Sequence, residues 1–443
     1  MSRTKLVEAL ERLAPPTPAA CLVLLWSYYH PELPAVENDL EKAGISLRRP
    51  GRLSPGRSLA DCTAELRSLV GQDVEFDQFA LAWLKGLDRA LHHNLLPKRL
   101  EGTVFEGIDG KRYLLCPRNN FIAETFEERA PLSTWAANQG PSMAEYVPHI
   151  VVQPVETPGG AFNVTLLTDW CPRHVSRLLK VRERGRLRIM MWPLATDIEY
   201  PALDQLRDGP PPAVLSLKDP RNEQALAAEV EAALREAAKQ KVTILVFPEL
   251  AIPPGIYARV RALLAAQEGD SHPLLTVLGL CHACPPGGSA DVNEAVLLGP
   301  DGTELHRHRK LTRYGMKTGY PCGEGTETGL EIHILLSPIG NLALLICLDL
   351  LHKDVVRVIT DSVANVFLVP SLSPSTGAHR DRATTLCADQ LASTFVCNRW
   401  LQDAGSTATS FYRVPSREWG EVLHLPADTP AGVQPEPYLL FEL

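Results

Sequence analysis

The sequence predicts two domains, an α+β N-terminal domain followed by an α/β domain whose strands are covered by helices on both faces. Three observations carry this expectation. From residue 186 onward, unbroken apolar runs recur, VTILVF at 242–247, LLTVLGL at 274–280, LALLICLD at 342–349 and NVFLVPS at 365–371. Runs this uniformly apolar need cover on both faces, as in a sheet held between helix layers. The first 185 residues follow a different pattern, helical periodicity giving way to short strand-like segments, and 443 residues suffice for two domains of ordinary size. The expected boundary lies near residue 185, giving domains 1–185 and 186–443.

In the first domain, residues 4–13 and 57–100 read as helical. Leu66, Leu69 and Val70, then Phe79, Leu81, Leu84 and Leu87, supply their apolar stripes. The run AACLVLLW near the start follows Glu8 and Glu11 and is interrupted by Pro15, Pro16 and Pro18, which fits a buried strand or helix better than an export signal. Between 101 and 170 the pattern becomes β-like. VFEGIDGKRYLLC carries the hairpin signal Asp109-Gly110, and HIVVQPVE reads as a further strand. Neither contains a chemistry-bearing motif. The prolines at 15–18 and 209–212 mark loops. Between the domains, residues 173–188 hold seven Lys or Arg against the single acid Glu183, which reads as a solvated face or, as a second option, a docking surface for an acidic partner.

The second domain opens on the strand RLRIMMWP. An amphipathic helix follows, with Leu226, Val230, Leu234 and Ala237 on one face. VTILVF and LLTVLGL are buried strands. EAVLLGPDGTELHRHRK is a strand, a Pro300-Asp301-Gly302 turn and a return strand, on which period-two alternation puts His306, His308 and Lys310 on one face and Arg307 and Arg309 on the other.

Composition narrows the function. At 45% hydrophobic and 22% charged the chain suits a soluble globular protein, and no stretch approaches the ~20 apolar residues of a membrane span. A net charge of -8 gives the molecule as a whole no electrostatic reason to seek nucleic acid or an anionic membrane. Ten cysteines are scattered without a disulfide framework, which places the protein in a reducing cytoplasm.

Three residues point to chemistry. Glu249 follows VTILVF, Lys310 closes HRHRK, and Cys347 lies inside LLICLDLLHKDVVR, each at the end of a strand-like run. A carboxylate, an ammonium and a thiol in one pocket can cleave a carbon-nitrogen bond. These motifs, in this order, resemble those of the nitrilase superfamily of carbon-nitrogen hydrolases, from residue 186 to about 415. Asp349, Asp354 and Arg357 fall at similar spacing after the cysteine, and VFLVPS at 366–371 and CNRWLQDAGST from 397 resemble the family's next strand and its asparagine-arginine segment. The resemblance implies a four-layer αββα sandwich and a Glu, Lys, Cys triad.

The roles follow from what amide hydrolysis needs. A free thiol with pKa near ~8.5 is mostly protonated at neutral pH, so Cys347 needs Glu249 as base. Lys310 and the backbone amide of Leu348 would stabilise the tetrahedral oxyanion, at about 3 kcal/mol per donor. One departure stands out. Where many relatives carry a second glutamate after the lysine, the nearest register here holds Thr318, and Glu324, with Glu327 beyond, is the first acid downstream; either acid could take that place if the loop follows a different path, which makes Thr318 and Glu324 candidate pocket contacts. LLHKD also replaces the usual residues after the cysteine, which brings His352 toward the substrate.

The expectation is therefore a hydrolase of amide, carbamoyl or, less favoured, nitrile bonds, acting on a small molecule without cofactor or metal. The resemblance also implies a homodimer, and leaves the N-terminal domain to regulate access, gate substrate or dock another protein. The alternative is a catalytically inert nitrilase-like fold serving as a binding or assembly module. Cys281, His282 and Cys284 lack a second ligand pair for zinc, so they read as a loop after a strand. GYPCGEGTETG reads as a loop at the rim of the site.

Overall fold

The computed structural model describes residues 2–44, 58–95, 104–117, 119–129, 147, 150–155, 162–167, 170, 172–194, 213–215, 222–266, 272–315, 322–360, 362–399, 410–415 and 438–443. The chain forms two compact units, Met1–Arg118 with Leu132–Gly159, and Asn119–Pro131 with Gly160–Leu443. This division differs from a boundary at residue 185. The reason is strand pairing: Asn163–Leu167 lies parallel to Glu331–Ser337, far along the chain, and so joins the second unit's sheet.

The first unit contains α1 (Arg3–Glu11), α2 (Pro18–Tyr29), α3 (Leu33–Lys42), α4 (Leu59–Ser68) and α5 (Asp73–Leu95). Beside them is an antiparallel sheet of β1 (Val104–Glu106), β2 (Arg112–Pro117) and β3 (Ile150–Pro154). The β1–β2 turn carries Gly110 at φ +76°, as the Asp109-Gly110 signal predicts. The apolar run that sequence left as strand or helix is α2. Its Thr17 side chain accepts the Ala20 amide at 3.2 Å, and Pro18 occupies the first turn. Consecutive residues Cys21–Leu25 are all buried, since a helix apolar all round must sit in a core.

In the second unit two six-stranded sheets face each other. The first has the order β10-β9-β8-β7-β5-β17, formed by Glu304–Arg309, Glu294–Leu298, Leu275–Gly279, Ile244–Val246, Arg188–Met191 and Leu439–Glu442. The second has the order β16-β15-β14-β13-β12-β4, formed by Phe411–Arg413, Ser393–Asn398, Val366–Ser371, Gly340–Leu344, Glu331–Ser337 and Asn163–Leu167. A short parallel pair joins β6 (Ala213–Leu215) to β11 (Cys322–Glu324).

Alternate residues explain the layers. Ile189, Ile244, Val246, Leu275, Val277 and Leu297 point inward and share one core with Leu342, Leu344, Val366, Leu368 and Phe395 of the facing sheet. The intervening Met190, Leu245, Leu278 and Val296 form an outer core with Leu226, Val230 and Leu234 of a helix at Glu223–Lys239 and Ile256, Val260 and Leu264 of a helix at Pro254–Ala265. The second sheet's outer face is covered by the helix Gly377–Gln390, which packs on β15 and β16. Helix, sheet, sheet, helix is the four-layer αββα order expected from sequence. Both faces of each central strand are buried, which is why those strands read as unbroken apolar runs.

β5, β7 and β8 run parallel, and the two antiparallel steps to β9 and β10 leave β10 pointing the same way. In the facing sheet β13, β14 and β15 are also parallel. The loops after β7, β10 and β13 thereby carry Glu249, Lys310 and Cys347.

Candidate active site

Glu249 lies three residues beyond β7, where the chain passes close to the end of β8. A Cβ built on Gly279 would stand 2.2 Å from the Pro248 carbonyl oxygen and 2.6 Å from the Glu249 Cα, so only glycine leaves room for this approach. Lys310 directly follows β10, and the predicted alternation holds there: His306, His308 and Lys310 are buried while Arg307 is exposed.

The two side chains meet. Lys310 Nζ donates to Glu249 Oε1 at 2.7 Å and to Glu324 Oε2 at 2.8 Å. Glu324, on β11, is thus the second carboxylate on the lysine. It also accepts the Tyr314 amide at 2.9 Å and lies 3.3 Å from His282 Nε2. Thr318, which sequence register put in that place, lies outside the described residues. Asn293, just before β9, bridges both acids, its Nδ2 donating to Glu249 Oε1 at 2.8 Å and Glu324 Oε1 at 2.7 Å. Sequence reasoning missed Asn293. Its signal was a single amide residue ahead of Glu294 and the apolar run at 295–298.

Cys347 opens a 3-10 helix, Cys347–Leu350, three residues beyond β13. Its φ of +46° lies in the left-handed region, disfavoured for a residue with a Cβ, and strain of this kind gathers at functional turns. Asp349 locks the turn to the segment after the lysine. Its Oδ1 accepts the amides of Leu311 and Thr312, both at 3.0 Å, and the Thr312 hydroxyl at 2.8 Å, while Oδ2 accepts the Ile346 amide at 3.1 Å. His308 Nε2 lies 3.3 Å from the same carboxylate. The Leu348 amide sits in the first turn of that short helix, where donors have no acceptor within the helix.

Electrostatics separates the two glutamates. Glu249 and Glu324 are each 2% exposed and Lys310 is 3% exposed, so the trio holds two carboxylates against one ammonium. Burial raises Glu249 and the neighbouring Glu324 charge raises it further, outweighing Lys310 and Asn293, so its pKa stands above the ordinary carboxylate range. Burial also penalises Glu324, but Lys310, His282 and the Tyr314 amide outweigh it and hold this carboxyl far below that range. For Lys310, desolvation is overcome by Glu249, Glu324 and Cys347, and the ammonium is retained. The Cys347 thiol is pushed up to about 12, first by burial and then by Glu249, against the lowering effects of Lys310, Ser371 and the Leu372 amide. That same Leu372 amide donates to Glu249 Oε2 at 3.0 Å.

Residues 213–385 match the family model described as Carbon-nitrogen hydrolase, a span that includes Glu249, Asn293, Lys310, Glu324 and Cys347. Over that span, which is less than half of the chain, the sequence is similar to the carbon-nitrogen hydrolases. Among solved structures, an amidase from Nesterenkonia sp. is similar at 17% identity, covering 58% of this chain and 90% of that one with a TM-score of 0.38. A glutamine-dependent NAD+ synthetase from Acinetobacter baumannii is similar at 16% identity, covering 58% of this chain and 45% of that one with a TM-score of 0.40. No curated protein matches the chain.

The other candidate residues of this unit make contacts of their own. His352 packs edge-on against Phe162 at 6.0 Å between ring centroids, and its amide donates to the Leu348 carbonyl at 3.0 Å. Asp354 and Arg357 approach each other at 4.0 Å on the helix Lys353–Thr360. Of the CHAC cluster, Cys281 Sγ lies 3.6 Å from the Leu250 carbonyl, His282 faces Glu324 and Cys284 is exposed. Among the described residues no group of three or more His, Cys, Asp or Glu is arranged to hold a metal, and no helix is long and apolar enough to cross a membrane.

Proposed function

We propose that this domain hydrolyses an amide or carbamoyl bond of a small molecule through a thioester on Cys347. The observation that supports the reading is the buried lysine between two glutamates of opposite pKa displacement. Paired acids pushed apart in this way mark an acid/base group and a fixed charge. Glu249 takes the acid/base role, and Glu324 holds Lys310 in place.

As sulfur attacks the carbonyl carbon, the Cys347 proton passes to Glu249. A free thiolate is not needed beforehand, which suits a thiol raised to about 12. The C=O π electrons move to oxygen, and that oxyanion meets the Lys310 ammonium and the Leu348 amide. Collapse of the intermediate breaks the C–N bond as Glu249 returns the proton to the departing nitrogen, leaving the acyl group on sulfur. Water then attacks the thioester while Glu249 accepts one of its protons, and release of the acid restores the Cys347 thiol.

A reducing cytoplasm suits an enzyme that depends on a thiol, and the eight described cysteines are all unpaired. A homodimer of hydrolase domains completes the proposal. Mass and elution volume in solution test it.

The deciding experiment treats the full-length protein with a chloroacetamide probe and maps the adduct by peptide mass, so that Cys347 is read separately from exposed Cys284. Cys347 is expected to label, Glu249→Gln to slow labelling at least 100-fold, and Cys347→Ala to abolish ammonia release from short aliphatic amides. Cys347 labelling that is indifferent to Glu249→Gln, with no amide turned over, would leave an inert binding module.

A further inference from the structure

At the opposite end of the first sheet from Glu249, a cleft of about 180 Å3 opens beside the starts of β5, β7 and β8. Its lining includes Lys180, Arg184, Arg186, Arg188, Lys241 and His272. The helix Val175–Arg184 supplies the first two, and the chain that leaves it supplies Arg186 and Arg188. Lys241 comes from the turn before β7, and His272 from the approach to β8. We propose that this cleft binds the diphosphate group of a small soluble molecule.

Unspent charge is the first argument. Arg188 pairs with Glu442 at 2.6 Å and donates to the Gln240 carbonyl, and His272 Nδ1 lies 2.9 Å from the Val242 carbonyl. Among the described residues, no ion pair or hydrogen bond engages the side chains of Lys180, Arg184, Arg186 or Lys241. Helix dipoles do not account for them. Arg184 lies in a last turn, where a cation is favoured, but Arg186 and Lys241 stand beyond their helices and Lys180 precedes the last turn.

Backbone geometry is the second argument. Two helices end beside the cleft in the same way. In one, the Gly185 and Arg186 amides bond the Arg182 and Val181 carbonyls, with Gly185 at φ +62°. In the other, the Lys241 and Val242 amides bond the Ala238 and Ala237 carbonyls, with Lys241 at φ +51°. The position that glycine fills in the first turn is held by lysine in the second, in a conformation L side chains rarely adopt. A strained residue that supplies a cation to a cleft already lined by Lys180, Arg184 and Arg186 points to a ligand.

Size and chemistry select the ligand. The cleft is smaller than the ~300 Å3 at which pockets begin to enclose whole drug-sized molecules, so it receives a compact group while the rest of the ligand projects outward. Arginine guanidiniums match phosphate oxygens two at a time, lysines add point charge, and a diphosphate concentrates more charge in this volume than carboxylates do.

The test is calorimetric titration of the full-length protein with inorganic pyrophosphate at 50 and 200 mM NaCl. The proposal expects one saturable site, weaker at the higher salt. The double variant Arg184→Gln/Lys241→Gln, both residues being exposed, should bind roughly tenfold more weakly, whereas Lys5→Gln in the other unit should leave binding unchanged. Unaltered melting of the unliganded double variant keeps misfolding apart from lost binding. Absence of saturable pyrophosphate binding would overturn the proposal, as would equal affinity in the double variant or equal affinity for citrate. Binding to a single-stranded oligonucleotide without any to pyrophosphate would overturn it as well.

Discussion

Each compact unit buries an ionic network, and the two are built to different charge balances. In the first unit Asp77 receives the Arg3 guanidinium at 2.7 and 3.2 Å and the Tyr29 hydroxyl at 2.8 Å. One buried carboxylate faces one cation, which also pairs with the exposed Asp73 at 2.6 Å, and the Arg3 side chain keeps 27% of its surface in water. Burial and the Asp77 charge hold the Tyr29 phenol well above its usual range, so it serves as a neutral donor. In the second unit Glu249 and Glu324 share Lys310, and none of the three keeps appreciable contact with water. The first network closes its charge and ties helices together. The second leaves one negative charge over, and the surplus drives the two carboxylates' pKa values apart. An unbalanced buried charge costs stability, and the imbalance suits the second network to the proposed chemistry.

The comparison breaks most directly at Lys310. Lys310→Met leaves two buried carboxylates facing each other and should lower unfolding stability by about 3–5 kcal/mol by urea titration. Adding Glu324→Gln should recover part of that loss. A lysine change no costlier than one at the surface would mean that the trio is not coupled. Asp77→Ala tests the balanced network, where about 2 kcal/mol is expected because Arg3 can turn to water and to Asp73. A loss as large as that for Lys310→Met would erase the distinction between the networks.

A third test separates the acids by pH. Glu249 must be ionised to act as base, and its folded pKa is raised, so the acidic limb of kcat/KM or of Cys347 labelling lies above the usual glutamate pKa. Removing the neighbouring negative charge in Glu324→Gln lowers the Glu249 pKa. The acidic limb of the residual activity should therefore move to lower pH, and a limb that stays or moves up would contradict the assignment of the base.

The smallest effect concerns His306, whose pKa burial lowers to about 3, with the charges of His333 and His308 acting in the same direction and Glu304 opposing. Its ring stands edge-on to His333 at 4.7 Å between centroids. In the unfolded chain it takes up a proton near pH 6.5, whereas the folded chain refuses one until about 3. Its contribution is thus present above pH 6.5 and is lost as pH falls from 6.5 toward 3. His306→Gln should flatten the decline of stability between pH 6.5 and 5, by on the order of 2 kcal/mol at pH 5.

How far the site was legible varied by residue. Lys310 was readable because period two along HRHRK assigns it to the buried face with His306 and His308. Glu249 and Cys347 were readable because each follows an apolar run long enough to define a strand. Glu324 was readable only as one of two acids, with Glu327, that could replace the second glutamate if the loop left the register that points to Thr318. The Tyr314 amide and the β6–β11 pairing bring Glu324 to the lysine instead. Asn293 was invisible for a similar reason: an amide before a strand has many fates, and only two converging carboxylates give it one. Likewise, β4 is short and joins its sheet through a partner more than 160 residues away, which no local pattern announces.

The sequence by itself determined the layered α/β architecture, through apolar runs that must be covered on both faces, and named the three groups that cleave a carbon-nitrogen bond in the proposed reaction. Tertiary structure decided which acid joins them, how Asn293 and Asp349 hold them, and which carboxylate keeps its proton more readily. The physical reason is range. Burial patterns are written in neighbouring residues, whereas a charge balance is the sum over groups from distant strands and exists only once they share one dry pocket.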